Sequence, residues 1–251
     1  MRIVVKIGTS TLAHATGHLN IRRVELLCKV LSDLQNAGHQ IVLVSSGAIG
    51  MGVGKLSLTD RPDDIPTKQA AASVGQCELM YTYDKLFGEY NHTVAQILLT
   101  GEDVENDERR FNVENTLSRL LELGALPIIN ENDTVATEEI VFGDNDTLAA
   151  KVGASVNADI VVLLSDINGL YDCDPRENEN AKIISRVNGI TDDIRALAGG
   201  AGSKLGTGGM VTKIHAAEVC FENDIPMVIT NGSDITSAYD IIGGKSVGTL
   251  L

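Results

Sequence analysis

Short apolar runs recur along this chain, separated by longer segments whose apolar positions fall at helical spacing. The runs stand at residues 3–7, 41–44, 94–98, 126–129, 160–164 and 227–230. Most are continuous rather than alternating, which predicts strands of a parallel sheet covered on both faces. Val24, Leu27, Leu31 and Leu34 share one helical face, and Gly38 stands where a C-terminal cap belongs. The same periodicity predicts helices over 67–90, 110–123, 146–156, 209–223 and around 237–242. Strand and helix alternate from end to end. The predicted fold is α/β, a three-layer αβα sandwich with a mainly parallel central sheet. Residues 138–142 predict a short hairpin strand, 173–180 a polar loop and 246–251 a closing strand. Residues 144–146 mark a division of this single domain into lobes of about 1–150 and 151–251.

Composition narrows the possibilities. A chain of 251 residues with 43% hydrophobic content can bury a sizeable core. Its sequence holds no charge-poor stretch of ~18 apolar residues, so no membrane span is expected. Cys28, Cys77, Cys173 and Cys220 are scattered, which suits reduced thiols in a cytoplasm better than disulfides or a zinc site. A net charge of −14 argues against nucleic acid as the main partner. An anionic ligand therefore needs local positive charge, and that directs attention to two lysines.

Lys213 closes a glycine-rich run that includes Gly199, Gly200, Gly202, Gly206, Thr207, Gly208 and Gly209, then Met210, Val211 and Thr212. A glycine loop entering a helix brings backbone N–H groups onto an anion, and a lysine there adds a full charge. Lys6 stands at the end of the first apolar run, before the small-residue turn Gly8-Thr9-Ser10. Two such lysines suggest a site that holds phosphate groups. Ser45-Ser46-Gly47-Ala48 follows the second run and opens a short helix, where small residues let a ligand approach the backbone. The alternative is a tight structural turn, which needs fewer glycines and no paired serines, so the ligand reading is preferred. Asn130-Glu131-Asn132-Asp133 leaves the fourth run, at the strand edge where α/β sheets bind ligands. Gly143-Asp144-Asn145-Asp146 is a second acidic-amide cluster, and Asp146 could also serve as a helix cap. Ser165 and Asp166 leave the fifth run towards the same edge, and Asn168-Gly169 reads as a tight hairpin turn. The five histidines form no ligand-like pair, and no residue is singled out as a metal ligand.

Six motifs in this order resemble the amino acid kinase family: 5–10, 45–49, 130–133, 143–146, 165–171 and 206–213. The resemblance spans the whole chain and points to the members that phosphorylate free glutamate. It implies the family's αβα fold, with the N-terminal lobe binding the amino acid and the C-terminal lobe binding nucleotide. It implies ATP, magnesium (Mg2+) and L-glutamate as ligands and L-glutamyl 5-phosphate as product, the first step of proline biosynthesis. It implies that Ser46, Gly47, Asp133 and Asn145 bind glutamate. Lys6, Gly8, Ser165, Asp166, Thr207, Gly208, Gly209, Met210, Val211, Thr212 and Lys213 match nucleotide-binding positions. Lys6 and Lys213 match the charge-stabilising lysines, and Asp146 the aspartate that organises them. It further implies proline as feedback inhibitor, a homo-oligomer, and the downstream glutamyl phosphate reductase as a partner. Ser165 stands where relatives more often carry threonine, which keeps the hydroxyl. Many relatives also carry a C-terminal PUA domain, which is not expected in this chain.

The chemistry has its own logic. A γ-carboxylate is already ionised at neutral pH, so its phosphorylation requires no general base. The obstacle is bringing two anions together, which calls for alignment and positive charge. Other acceptors within the same family, namely acetylglutamate, aspartate, carbamate or UMP, remain alternatives. So does a nucleotide-binding storage or regulatory protein, which should have lost a lysine or Asp146.

Overall fold

The computed structural model describes residues 1–14, 18–60, 62–136, 145–175, 178–198 and 209–251. Its strands are β1 (Arg2–Ile7), β2 (Gln40–Ser45), β3 (Val94–Leu99), β4 (Leu126–Glu131), β5 (Ile160–Ser165), β6 (Met227–Asn231) and β7 (Thr249–Leu250). They form one sheet in the order β3-β4-β2-β1-β5-β6-β7. The first six are parallel, and β7 closes the edge antiparallel to β6.

The helices are α1 (Thr9–Leu12), α2 (Ile21–Asn36), α3 (Ala48–Lys55), α4 (Ile65–Gly88), α5 (Gly101–Glu105), α6 (Asp107–Glu122), α7 (Asn145–Ser155), α8 (Asp192–Ala198), α9 (Met210–Glu222) and α10 (Ser237–Ile242). Two cores explain the continuous apolar strands. Ile3, Val5, Ile7, Ile41, Leu43, Val162 and Leu164 pack with α2, α4 and α10. Val4, Val42, Val44, Val161 and Leu163, of the opposite parity, pack with α6, α7 and α9. Central strands such as β2 and β5 therefore carry apolar side chains at successive positions. Val24, Leu27, Leu31 and Leu34 of α2 are all buried, and full burial of each such side chain contributes about 1.5–3 kcal/mol. Lys6 has the parity of Val4, so β1 directs it towards the α7–α9 layer.

Strands β1, β2, β3, β5 and β6 match the expected runs to within about a residue, β4 runs two residues further, to Glu131, and the closing strand expected at 246–251 is the shorter Thr249–Leu250. Two helices begin earlier than expected. Asp64 caps α4 by accepting from Thr67 N at 2.9 Å, and Asn106 caps α6 by accepting from Arg109 N at 3.1 Å. The first turn of α6 is polar and that of α4 opens with the exposed Ile65 and with Pro66, outside the buried periodic positions, so periodicity alone dates these starts too late. The expected hairpin strand at 138–142 lies outside the described residues. The hairpin expected at Asn168-Gly169 is a correction. Tyr171 bridges Ile183 rather than a residue just across a two-residue turn, and Asn168 Oδ1 accepts from Asn231 Nδ2 at 2.8 Å, tying the turn to β6.

Helices α3 and α4 meet backbone to backbone. A Cβ on Gly52 would lie 1.7 Å from Ala71 O, and one on Gly75 would lie 1.8 Å from Ala48 O. Neither carbonyl can move without shifting its helix. Gly75→Ala is therefore expected to cost at least about 3 kcal/mol, above the usual cost of overpacking. The corresponding fall in Tm is on the order of 6–12 °C. A melting curve unchanged from the parent would show that α3 can separate from α4 freely.

Candidate active site

The parallel order places the C-terminal ends of β1, β2, β4 and β5 along one sheet edge. The strand order reverses around β1, with β2 on one side and β5 on the other, the position where open α/β sheets bind ligands. Helix α7 begins at this edge with Asn145 and Asp146 in its first turn, and α9 packs beside it.

Three predicted residues converge there. Lys6 Nζ lies 2.6 Å from Asp146 Oδ1, and Lys213 Nζ lies 2.9 Å from Asp146 Oδ2. Thr212 Oγ1 lies 3.0 Å from Asp146 Oδ2 and 2.8 Å from Gly209 O, its one proton shared between the two oxygens. Relative exposure is 9% for Lys6, 1% for Asp146 and 3% for Lys213. Burial alone pushes the Asp146 carboxyl up, but the charges of Lys6 and Lys213 and their hydrogen bonds outweigh it and hold the pKa at about 2. Asp146 is thus ionised at neutral pH, and the trio carries a net single positive charge out of reach of bulk water. Asp146 lies within α7 rather than capping it, because its carboxylate is engaged by the lysines.

Beside this trio is an amide cluster. Asn145 Nδ2 donates towards Ser46 Oγ at 2.8 Å, Ser45 O at 3.1 Å and Asn130 Oδ1 at 3.1 Å. The predicted pair Ser46 and Asn145 is thus joined directly. Gly47 caps α3 with φ 105°, a left-handed conformation that glycine adopts readily. Asp133 sits partly buried in the turn after β4. Asn130 was recognised as part of a motif but not as a site residue. It is nevertheless the link between β4 and Asn145, and its burial at a strand end is the signal that marks it.

The predicted nucleotide-binding residues fall at two places. Gly209, Met210, Val211, Thr212 and Lys213 are the cap and first turn of α9, and the first N–H groups of a helix, up to its third residue, have no intrahelical acceptor. Gly8 follows β1, and a Cβ there would stand 3.6 Å from Lys6 Nζ. Ser165 ends β5 buried, its Oγ 3.1 Å from Asp166 Oδ1, while Asp166 is exposed. Thr207 and Gly208 lie outside the described residues, as do Gly143 and Asp144. Among the described residues, no group of three or more His, Cys, Asp or Glu side chains could hold a metal ion. Among them too, no helix is long and apolar enough to cross a membrane.

A buried lysine–aspartate–lysine trio at the strand-end edge of a parallel αβα sheet defines a protein suited to handling anionic groups. Residues 1–231 match the amino acid kinase family, and the chain belongs to that family. Among curated relatives, it is 54% identical to glutamate 5-kinase of Clostridium acetobutylicum over 249 residues, covering 99% of this chain and 93% of that one. It is 52% identical to glutamate 5-kinase of Listeria innocua, covering 99% and 92%. Among solved structures, UMP kinase from Ureaplasma parvum superposes with a TM-score of 0.65 at 16% identity, covering 99% and 97%. That likeness is one of fold.

Proposed function

We propose that this chain transfers the γ-phosphoryl group of ATP to the γ-carboxylate of L-glutamate, releasing ADP and L-glutamyl 5-phosphate. The observation that carries the reading is the Lys6–Asp146–Lys213 trio, buried at the strand-end edge beside the Asn145–Ser46 cluster. The identity of the acceptor is supported by the glutamate 5-kinase relatives. MgATP enters as substrate, since magnesium commonly arrives held by nucleotide phosphates with few protein ligands.

In this reading Lys6, Lys213 and the first-turn N–H groups of α9 face the phosphoryl oxygens. Asp146 fixes both ammoniums, so no reorganisation is needed as charge shifts to the leaving oxygen. The carboxylate attacks in its ionised form, so no proton has to be removed. Ser46, Gly47, Asp133 and Asn145 form the amino acid pocket in the N-terminal lobe. Gly8, Ser165, Asp166 and residues 207–213 serve the nucleotide. The reading also carries with it proline as inhibitor, a homo-oligomer, glutamyl phosphate reductase as partner and a cytoplasmic setting.

Nuclease-treated protein given ATP, magnesium and glutamate should form an acyl phosphate that hydroxylamine traps as a hydroxamate. The trap reports an activated carbonyl rather than ATP hydrolysis. N-Acetylglutamate, aspartate, carbamate and UMP are run beside glutamate. ADP release without hydroxamate, or a stronger response to another acceptor, would overturn the assignment of glutamate.

A further inference from the structure

Helix α4 carries three polar residues, Gln69, Gln76 and Tyr83, at seven-residue intervals. Seven residues make about two helical turns, so all three share one face. That face otherwise carries core positions such as Ala72 and Leu79. Each polar residue reaches a different segment of the amide cluster. Gln69 Nε2 approaches Ala136 O, beyond Asp133, at 3.4 Å. Gln76 Oε1 accepts from Asn130 Nδ2 at 2.9 Å. Tyr83 OH lies 2.9 Å from Ser45 Oγ, and both residues are fully buried.

The proton directions follow from these contacts. Ser45 Oγ donates to Ser46 O at 3.2 Å, so its single proton is used and Tyr83 is the donor to Ser45. Asn130 Oδ1 accepts from Glu131 N at 2.9 Å as well as from Asn145, so Asn130 cannot be turned over without setting donor against donor. Asn145 is fixed in turn, because reversing it would place Oδ1 against two carbonyl oxygens, Ser45 O and Asn130 Oδ1. Two routes therefore run from α4 to Asn145: a chain of hydrogen bonds through Gln76 and Asn130, and Tyr83, which holds the hydroxyl of Ser45, the residue whose backbone oxygen accepts from Asn145. Both engage its Nδ2. Its Oδ1 is left as a buried acceptor with no partner among the described residues, a costly arrangement unless another donor is brought to it.

We infer that Gln76 and Tyr83 are positioning residues for amino acid recognition, holding Asn145 so that its Oδ1 accepts from the α-ammonium of the substrate. This rests on the reading of glutamate as acceptor. Neither residue needs to touch the substrate.

Tyr83→Phe removes only a hydroxyl, and Gln76→Met keeps the side-chain length. Each is expected to raise the glutamate KM about tenfold, with kcat and the ATP KM within about twofold of the parent. Each should also lower the preference for glutamate over glutarate, which lacks the ammonium group, by several fold. Leu79→Ala, on the same helix, should lower Tm and leave that preference unchanged. The side-chain amide signal of Asn145, read in protein with isotope-labelled asparagine, should move in both positioning variants without any substrate. An unmoved signal, an unchanged preference, or an equal change in Leu79→Ala overturns the inference. If the parent protein ignores glutamate, the assignment of the acceptor fails by itself, and the Asn145 signal still decides the positioning role.

Discussion

Replacing Lys213 by methionine is expected to lower kcat by about 10²–10³, the usual effect of removing one preorganised transition-state donor. Methionine fills much of the same space, so the loss reports charge and not a cavity. Lys213 is almost wholly buried, and water does little to screen it. Two unit charges 4 Å apart interact by roughly 4 kcal/mol at an effective dielectric constant of 20, against about 1 kcal/mol in water. A buried ammonium facing the transferring phosphoryl group is therefore worth far more than a surface lysine. Lys6→Met should behave similarly, since Lys6 pairs with the other oxygen of the same carboxylate. Steady-state kinetics with both substrates checks this. Near-normal kcat removes the assigned role. A rise confined to the ATP KM would mean that the lysine binds ground state and transition state alike.

Stability should change less than activity in these two variants. Asp146 loses one partner but keeps the other lysine. A smaller stability cost is still expected, because Lys213 is not an exposed charge at a loop end. In the structure Lys213 lies in the first turn of α9, and its ammonium is sealed against Asp146. Some loss of Tm is part of the expectation.

What the sequence reveals here follows from physical period and chain order. Strands are legible because both cores demand apolar residues at successive positions, as in the run Ile160–Leu164. Lys6, Asn145, Asp146 and Lys213 are legible because strand and helix ends at one sheet edge collect polar residues that a core cannot explain. Gln76 and Tyr83 are not legible in this way. They sit in mid-helix with no motif around them, and their partners Asn130 and Ser45 are 54 and 38 residues away in sequence. Periodicity did hold one sign: a glutamine at a core-facing position of α4 must find a partner. The early starts of α4 and α6 went unread because Asp64 and Asn106 act through single cap bonds rather than through a repeated pattern.

Asp146→Asn is expected to separate the two contributions of the trio. The substitution keeps the shape and removes the charge, leaving two ammoniums close together with little access to water. Breaking a buried ion pair by removing one partner costs about 3–5 kcal/mol, and denaturant unfolding should show a loss of that order. Activity should fall by at least the amount seen in either lysine variant, because neither ammonium is then held on the reaction axis. Adding Lys213→Met to Asp146→Asn removes the repulsion between the ammoniums, so the double variant should regain part of the lost stability and none of the activity. Neighbouring sites of this kind commonly couple by about 0.5–3 kcal/mol. The pH dependence gives a second check. A carboxyl held at about 2, well below the ordinary aspartate value, contributes stability above that ordinary value and loses it as pH falls towards 2. It also cannot take up a proton near neutral pH, so kcat should show no acidic limb from Asp146 in the range where enzyme assays are run. A limb near neutrality that disappears in Asp146→Asn would make Asp146 a general base, and the charge-holding role assigned to it would be wrong.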